Sequence, residues 1–412
     1  MTTPLPPWLP PALSWTLIQT LTGLTVTFTQ PNSLLRPLTA AATALLAYTL
    51  QITIKAHYAG TPASGPLVAM TWVSVLNGMD LLLLTRVSYA AQKVYADTKR
   101  AKKEDAGRGK GGRETDSLSK KLFFAFEIPY NYRRINTPWQ ITRLPTFPVV
   151  PSKTAFLRSA VLTILITSSL IILIPLDPSN SYLQERLSTL HTDKRSLLLL
   201  PLTATLSDLF LQARFTLSFG IVCRAAILSS YTLASILAVG FGGETSSWPP
   251  VFEGVRGAGS LRGVWGQSWH QLFRRPLTSP ATYILSLISI PPQSKTSHWT
   301  RVLVAFIGSG IIHALCDIGF GVDFSTSGGL WFFALQIPGL IIESVASFLA
   351  DKIGIKILAR GGVVRSAVGY IWVAGYLLWS APLWVNPILV SLAEDGTKVM
   401  SPWFGGRPEW FV

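Results

Sequence analysis

The sequence predicts an all-α integral membrane protein, a polytopic helical bundle of about eight spans. Three observations predict it. Hydrophobic residues make up 49% of the chain and charged residues 13%, about half of the roughly 25% charge that soluble domains carry. The apolar residues gather into runs of about 20, the helix length that crosses a hydrocarbon core. The excess of Lys and Arg, a net charge of +15, concentrates between those runs, as expected of loops held on the cytoplasmic side near anionic headgroups. A basic soluble protein would raise the question of nucleic acid. No finger spacing, RNP-like motif or long basic helix supports that partner here.

Taken in order, residues 12–29 and 34–54 form the first two spans, separated by Gln30-Pro31-Asn32. The first apolar run is expected to remain as a span, because it lacks a basic leader region and Pro4, Pro6, Pro7, Pro10 and Pro11 interrupt what precedes it. Residues 66–84 are a third span, made impure by Asn77 and Asp80. Residues 86–153 then form a basic cytoplasmic loop, and within it the Gly- and charge-rich run 99–113 is expected to be a flexible, solvated coil. Residues 155–176 are a clean span, and a polar stretch, 177–195, follows. Residues 196–211 are apolar but contain Pro201 and Asp208, which places them partly in the interface. Residues 214–241 are long enough to cross at a tilt, and Arg224 inside them must face protein or water. A second polar segment, 242–280, precedes residues 281–290, which are too short to cross and read as a re-entrant or surface helix. Residues 302–320, 330–350 and 367–384 complete the spans. No repeat of fixed period is present, so the chain reads as one domain, 1–412.

Few residues are equipped for chemistry. Cys223 and Cys316 lie in apolar surroundings far apart, which is no disulfide framework. His57, His191 and His298 read as loop residues with no partner at metal-ligand spacing, so no metal site is expected. There is no nucleophile elbow, phosphate loop or zinc-protease motif. Two places remain. In residues 260–276, Trp265, Trp269, His270, Arg262, Arg274 and Arg275 crowd together. The i+4 recurrence of Trp265, Trp269 and Phe273 predicts an amphipathic interfacial helix. In residues 306–317, His313 sits inside an apolar span, where an ionisable side chain is either functional or satisfied by a polar neighbour in the bundle. Gly308, Ser309 and Gly310 precede it by one turn and would admit a close approach by substrate or helix. Asp317 follows four residues later on the same face.

At these two places the sequence resembles the membrane-bound O-acyltransferases in their wax-synthase-like branch. Ser260-Leu261-Arg262, Trp265-Gly266 and Trp269-His270-Gln271 resemble the branch signature, with Val264 where Phe is common and His270 where some related enzymes carry Asn. Ser309 to His313 resembles the segment of the catalytic histidine. Tyr132-Arg133-Arg134 with Thr137-Pro138-Trp139-Gln140, and Asn77-Gly78-Met79-Asp80, are similar to patches of fungal members that acetylate terpenoid or meroterpenoid secondary metabolites. The likeness runs from about Asn77 onward.

The resemblance implies acyl transfer to a hydroxyl, with no bound cofactor and acetyl-CoA, or another acyl-CoA, as co-substrate. Its partners would be that thioester, a lipophilic alcohol and membrane lipid, in a multi-pass protein of the endoplasmic reticulum. His313 would be the general base, neutral through burial. His270, Trp269 or a backbone N–H would stabilise the oxyanion, and Asp317 would orient His313. Arg262, Arg274 and Arg275, or the basic loop with Arg133 and Arg134, would hold the CoA phosphates. A wax synthase using long-chain acyl-CoA and a fatty alcohol is the nearest alternative within the resemblance, and a membrane transporter is the alternative of another class.

Overall fold

The computed structural model of the chain describes residues 9–59, 61, 63–105, 116–173, 206–353 and 362–394. Its helices are α1 (Leu9–Phe28), α2 (Leu35–His57), α3 (Ser64–Met79), α4 (Tyr89–Asp105), α5 (Leu118–Glu127), α6 (Lys153–Leu173), α7 (Leu206–Gly240), α8 (Arg274–Leu287), α9 (Lys295–Gly319), α10 (Gly329–Ile353), α11 (Val363–Ser380) and α12 (Pro382–Glu394). No strand occurs among the described residues. The all-α membrane architecture is therefore as the composition requires. Large apolar side chains such as Leu38, Leu45, Leu162, Leu165, Leu173 and Ile371 face outward, as lipid demands.

Among the described residues, six stretches are long and apolar enough to cross a bilayer: Leu35–His57, Ser64–Leu84, Lys153–Leu173, Gln212–Gly240, Lys295–Gly319 and Gly329–Ala350. A seventh exists if α11 and Pro382–Leu389, bent by 43°, count as one. The expected last span at 367–384 thus breaks at its end, where Pro382 removes a backbone donor. Helix α1 is long enough but too polar. Gln19, Thr22 and Thr27 on it are buried in protein, and the Gln19 amide donates to Ser74 at 2.6 Å.

Three expectations need correction. Residues 99–105 are helical, the last turns of α4, because Ala, Lys and Glu are good helix formers even when charged; residues 106–113 of that run lie outside the described residues. His57 and His298 belong to α2 and α9 rather than to loops, and His191 is outside the described residues. Residues 206–211 are the opening turns of α7, a 35-residue helix, while 177–205 are not described.

The chain alternates between two compact units. One comprises Met1–His57, Leu67–Arg143 and Leu272–Gly308; the other Tyr58–Pro66, Leu144–Gln271 and Ser309–Val412. The first is organised by a buried ion pair. After α3 the backbone widens into a π turn, Asp80–Leu84, closed by Thr85 N–H donating to the Asp80 carbonyl at 2.8 Å. The Asp80 carboxylate accepts from Arg134 at 2.9 Å, and both side chains are 0% exposed. It also accepts from Thr85 Oγ1 at 2.5 Å and has Arg275 Nε at 3.5 Å. Arg134 in turn donates to Asn77 Oδ1 at 2.8 Å and to the Asn131 carbonyl at 2.9 Å. Arg134 takes a left-handed φ of 55°, a strain of order 1–3 kcal/mol that its network must offset. Beside it, Val26, Leu81, Leu82, Val87, Phe124 and Ile128 form an apolar cluster. Arg36 is also buried, and its Nη2 donates to the carbonyls of Val26, Thr29 and Val87. A cation there satisfies the carbonyls left unpaired at the end of α1.

In the second unit α6 packs along α7, with Thr167 and Ser229 hydroxyls 2.5 Å apart across the pair. The lower half of α9 meets α10 at Gly310. A Cβ at that position would stand 2.9 Å from Leu330 Cα, so the small residue is what lets this helix approach.

Removing Arg134 alone leaves a carboxylate buried against an apolar cluster. Arg134→Met is expected to destabilise the protein by about 3–5 kcal/mol, read as a fall in detergent-solubilised melting temperature. Asp80→Leu combined with Arg134→Met should recover part of the loss. A double variant no better than the single would show that the unpaired charge was not the cause.

Candidate active site

Helix α9 places Ser309, His313 and Asp317 at four-residue intervals along one side. The His313 Nδ1 lies 2.7 Å from the Ser309 carbonyl one turn earlier. A carbonyl only accepts, so Nδ1 carries the hydrogen and Nε2 keeps its lone pair. Ser309 thus contributes through its backbone. The ring of Phe333 lies 4.4 Å from the imidazole at 32°, and that of Trp384 lies 4.7 Å away at 88°. Gly329 lets α10 come this close. A Cβ there would be 3.2 Å from His313 Cβ.

Asp317 shares this side of the helix but does not orient His313 by a direct bond. Its Oδ2 accepts from Ser327 Oγ at 2.6 Å and its Oδ1 from Trp384 Nε1 at 3.0 Å.

The polar segment 242–271 is built to be rigid. Ser260 Oγ accepts from Gly263 N–H at 2.9 Å, capping the single helical turn Leu261–Gly263. Glu343, on α10, accepts from Leu261 N–H at 2.7 Å and Arg262 N–H at 3.1 Å. One carboxylate therefore satisfies two donors that the turn itself leaves unused. Next comes a π turn, Val264–Ser268, closed by Trp269 N–H to the Val264 carbonyl at 2.7 Å. Trp269 itself is extended, with φ −86° and ψ 157°. The expected continuous amphipathic helix through Trp265, Trp269 and Phe273 is therefore absent. The wide turn shifts the register, and Phe273 packs on Tyr132 in the other unit's own core.

The aromatic side chains of this segment join the two histidines. Trp265 Nε1 donates to Gln336 Oε1 at 3.1 Å, and its ring meets Phe333 at 5.8 Å and Trp269 at 6.2 Å. His270 meets Trp269 at 5.6 Å and Phe252 at 6.1 Å. The contacts are continuous from His270 through Trp269, Trp265 and Phe333 to His313. Gln271 ties the backbone, its Nε2 donating to the Trp265 and Trp269 carbonyls at 2.9 Å each. Arg224 holds the segment from α7: its Nη1 donates to the Ser268 carbonyl at 3.0 Å, and the guanidinium lies 4.0 Å over Phe252. Burial, with the nearby His313 as a second cause, pushes the His270 pKa down to about 3, so this imidazole is neutral at physiological pH.

The arginines divide. Arg262 is exposed, with Nη2 donating to Ser344 Oγ at 2.9 Å. Arg275, in the first unit, donates to Thr85 Oγ1 at 2.7 Å and lies beside Asp80. Arg134 is 0% exposed and both its Nη groups are bonded in the same network, so of the two basic-loop arginines it is closed to a phosphate. Arg274 makes one long bond, Nη1 donating to the Thr142 carbonyl at 3.4 Å. Burial and the charges of Arg143 and Arg301 lower its pKa, which marks a cluster of like charge.

Sequence reasoning missed Glu343, Gln336, Phe252, Phe333 and Trp384. Glu343 was findable as an ionisable residue in a run long enough to span. The aromatic residues were not, since Phe and Trp in a span are ordinary.

The membrane bound O-acyl transferase family matches residues 248–335, a segment that contains His270 and His313. The chain is 28% identical to acetyltransferase aurG of Calcarisporium arbuscula, over 95% of this chain and 96% of that protein. It is 26% identical to acetyltransferase fsoF of Humicola fuscoatra, over 91% and 94%. Acetyltransferase spyB of Aspergillus fumigatus is 26% identical over 92% of this chain, which spans 65% of that protein's length.

Since folded His270 resists protonation until about pH 3, whereas an unfolded imidazole accepts a proton near 6.5, acid favours the unfolded chain. The stability contributed by this group is present above about pH 6.5 and lost as pH falls from there toward 3. The melting-temperature difference between wild type and His270→Gln should therefore move against the wild type between pH 7 and pH 4.5. A difference independent of pH would mean that His270 titrates normally.

Proposed function

We propose, on the premise that the chain is a multi-pass, membrane-bound, acyl-CoA-dependent O-acyltransferase, that it transfers an acetyl group from acetyl-CoA to a hydroxyl of a terpenoid or meroterpenoid secondary metabolite in the endoplasmic reticulum membrane. The observation that carries the mechanism is the 2.7 Å contact between His313 Nδ1 and the Ser309 carbonyl. It leaves Nε2 as the basic atom, in an aromatic enclosure.

An alcohol is a weak nucleophile at neutral pH. His313 Nε2 takes its proton as the oxygen attacks the thioester carbonyl. The negative charge that develops on the carbonyl oxygen is met by an N–H donor, for which neutral His270 is suited. Collapse of the tetrahedral intermediate breaks the carbon–sulfur bond and expels the CoA thiolate. The imidazolium returns the proton to that thiolate, giving the ester, free CoA and His313 restored. No acyl-enzyme is required. Cys316 is buried and has no role in the cycle.

Arg274, with Arg143 and Arg301, offers positive charge for the phosphates of CoA, and Arg262 offers an exposed guanidinium. Arg275 serves mainly the Asp80 network. The acceptor enters from the bilayer, which accounts for an acyltransferase built in the membrane. Similarity to acetyltransferases favours acetyl over a long acyl chain, and the rings packed on His313 at 4.4 and 4.7 Å favour a small acyl group. The terpenoid acceptor rests on the similarity of Asn77 to Asp80 and of Arg133-Arg134 to fungal members.

Microsomes containing wild type or His313→Ala, supplied with radiolabelled acetyl-CoA or long-chain acyl-CoA and a panel of terpenoid and fatty alcohols, test this directly. Wild type should form acetyl esters of a terpenoid alcohol, and His313→Ala should lose roughly 100-fold or more of that rate. Ester formed from the long-chain donor alone would replace the reading with a wax synthase. Near-normal rates in properly inserted His313→Ala would remove the general-base assignment. Separately, Arg274→Ala should raise the KM for acetyl-CoA several-fold, with kcat less affected. A reduced kcat at unchanged KM would count against the phosphate role.

A further inference from the structure

We infer that Trp384 is a positioning residue for His313, and that Asp317 acts on the catalytic imidazole through it. This rests on the reading of His313 as the base. The single bond from Nδ1 to the Ser309 carbonyl fixes one atom of a ring whose side-chain torsion is soft and broad. Rotation about that torsion would swing Nε2 away from a hydroxyl while costing only one hydrogen bond. Two other rings prevent it. Phe333 covers one face, tilted by only 32°. Trp384 meets the imidazole at right angles, an edge-to-face arrangement favoured for aromatic pairs.

Trp384 is itself held on three sides. Phe332 stacks on it with centroids 5.5 Å apart at 23°. Phe219 of α7 meets it at 5.2 Å and 84°. Its Nε1 donates to Asp317 Oδ1 at 3.0 Å. The carboxylate is 0% exposed, and its other oxygen is fixed by Ser327, whose Oγ accepts Gly329 N–H at 3.1 Å. A tie runs from the turn before α10, through Asp317, to the indole against His313. Packing alone would not call for this. A Phe at 384 would fill much the same space and need no carboxylate. A buried aspartate is expensive unless its oxygens are used, and here one of them is used to hold an indole.

The distinction between positioning and mere packing is measurable. Purified, monodisperse Trp384→Phe keeps a ring but loses the N–H. With acetyl-CoA and the terpenoid alcohol that the panel assay turns over fastest, its kcat should fall roughly 10- to 100-fold, with both KM values within about twofold. Asp317→Asn still offers an oxygen to the indole and should retain most of the kcat, whereas Asp317→Ala should resemble Trp384→Phe. In a His313→Ala background the Trp384→Phe change should have no further effect, because the residue acts through the missing ring. A kcat near wild type in Trp384→Phe, an effect confined to KM, an Asp317→Asn as impaired as Asp317→Ala, or additivity with His313→Ala would each overturn the inference. Should Trp384→Phe fail to fold, the Asp317 pair decides: a kcat retained in Asp317→Asn and lost in Asp317→Ala supports the inference, and equal rates in the two overturn it; should Asp317→Ala fail to fold, Trp384→Phe decides. A His313→Ala of normal rate would instead defeat the reading of the base, so the two failures are distinct.

Discussion

Hydrocarbon offers no hydrogen bond, and each polar group placed among spanning helices must find its partner within the protein. That constraint explains more of this structure than any single packing contact. The Asp80 carboxylate gathers Arg134, Thr85 and Arg275. Arg36 closes the carbonyls at the end of α1. Glu343 takes two backbone N–H groups from the segment that carries His270, and Arg224 takes a carbonyl from the same segment. In each case a charge is spent on backbone or on an opposite charge, and the consequence is a fixed turn. The polar residues that make the spans look impure are the ones that set their geometry.

The same constraint bears on the chemistry proposed for His313. A neutral imidazole has one N–H to place, and the carbonyl of Ser309 accepts it. The bond chooses the tautomer, and the tautomer chooses the basic atom. Aromatic rings then do what hydrogen bonds cannot do without competing for Nε2: they restrict the ring and leave its lone pair alone. Phe333 and Trp384 suit that purpose better than polar neighbours would, since a donor beside Nε2 would make it a poorer base.

The fold was legible in the sequence: apolar runs and sparse charge specify a helical membrane protein. His313 in a span, with His270 in the polar segment before it, is what points to the candidate site. Other features were not legible, for physical reasons. The π turn at Val264–Ser268 leaves no periodic signature; it defeats the i+4 spacing of Trp265, Trp269 and Phe273. Helix α1 has the length of a span, but its Gln19, Thr22 and Thr27 are buried in protein, which no count of apolar residues distinguishes from lipid exposure. Asp317 lies one turn after His313, and spacing alone suggests a bond. The carboxylate is instead taken by Ser327 and Trp384, residues distant in sequence. Spacing identifies a shared face; it does not decide which of several partners on that face is nearest.

The basic composition illustrates the same limit from the other side. A net charge of +15 suggests an abundance of arginines for an anionic co-substrate. Position decides how many are available. Arg36 and Arg134 are buried in carbonyl and carboxylate networks, Arg275 faces Asp80, and Arg224 is tied to Ser268 and Phe252. Each has the charge that a phosphate would seek but already uses it to hold the fold. Arg274 has only a long bond to the Thr142 carbonyl, and burial together with the like charges of Arg143 and Arg301 lowers its pKa. Like charges gathered at a partly buried site raise the energy of the empty protein, and a polyanion would relieve that repulsion on binding. That is the reason for proposing Arg274, and not Arg36, Arg134, Arg275 or Arg224, for the donor's phosphates.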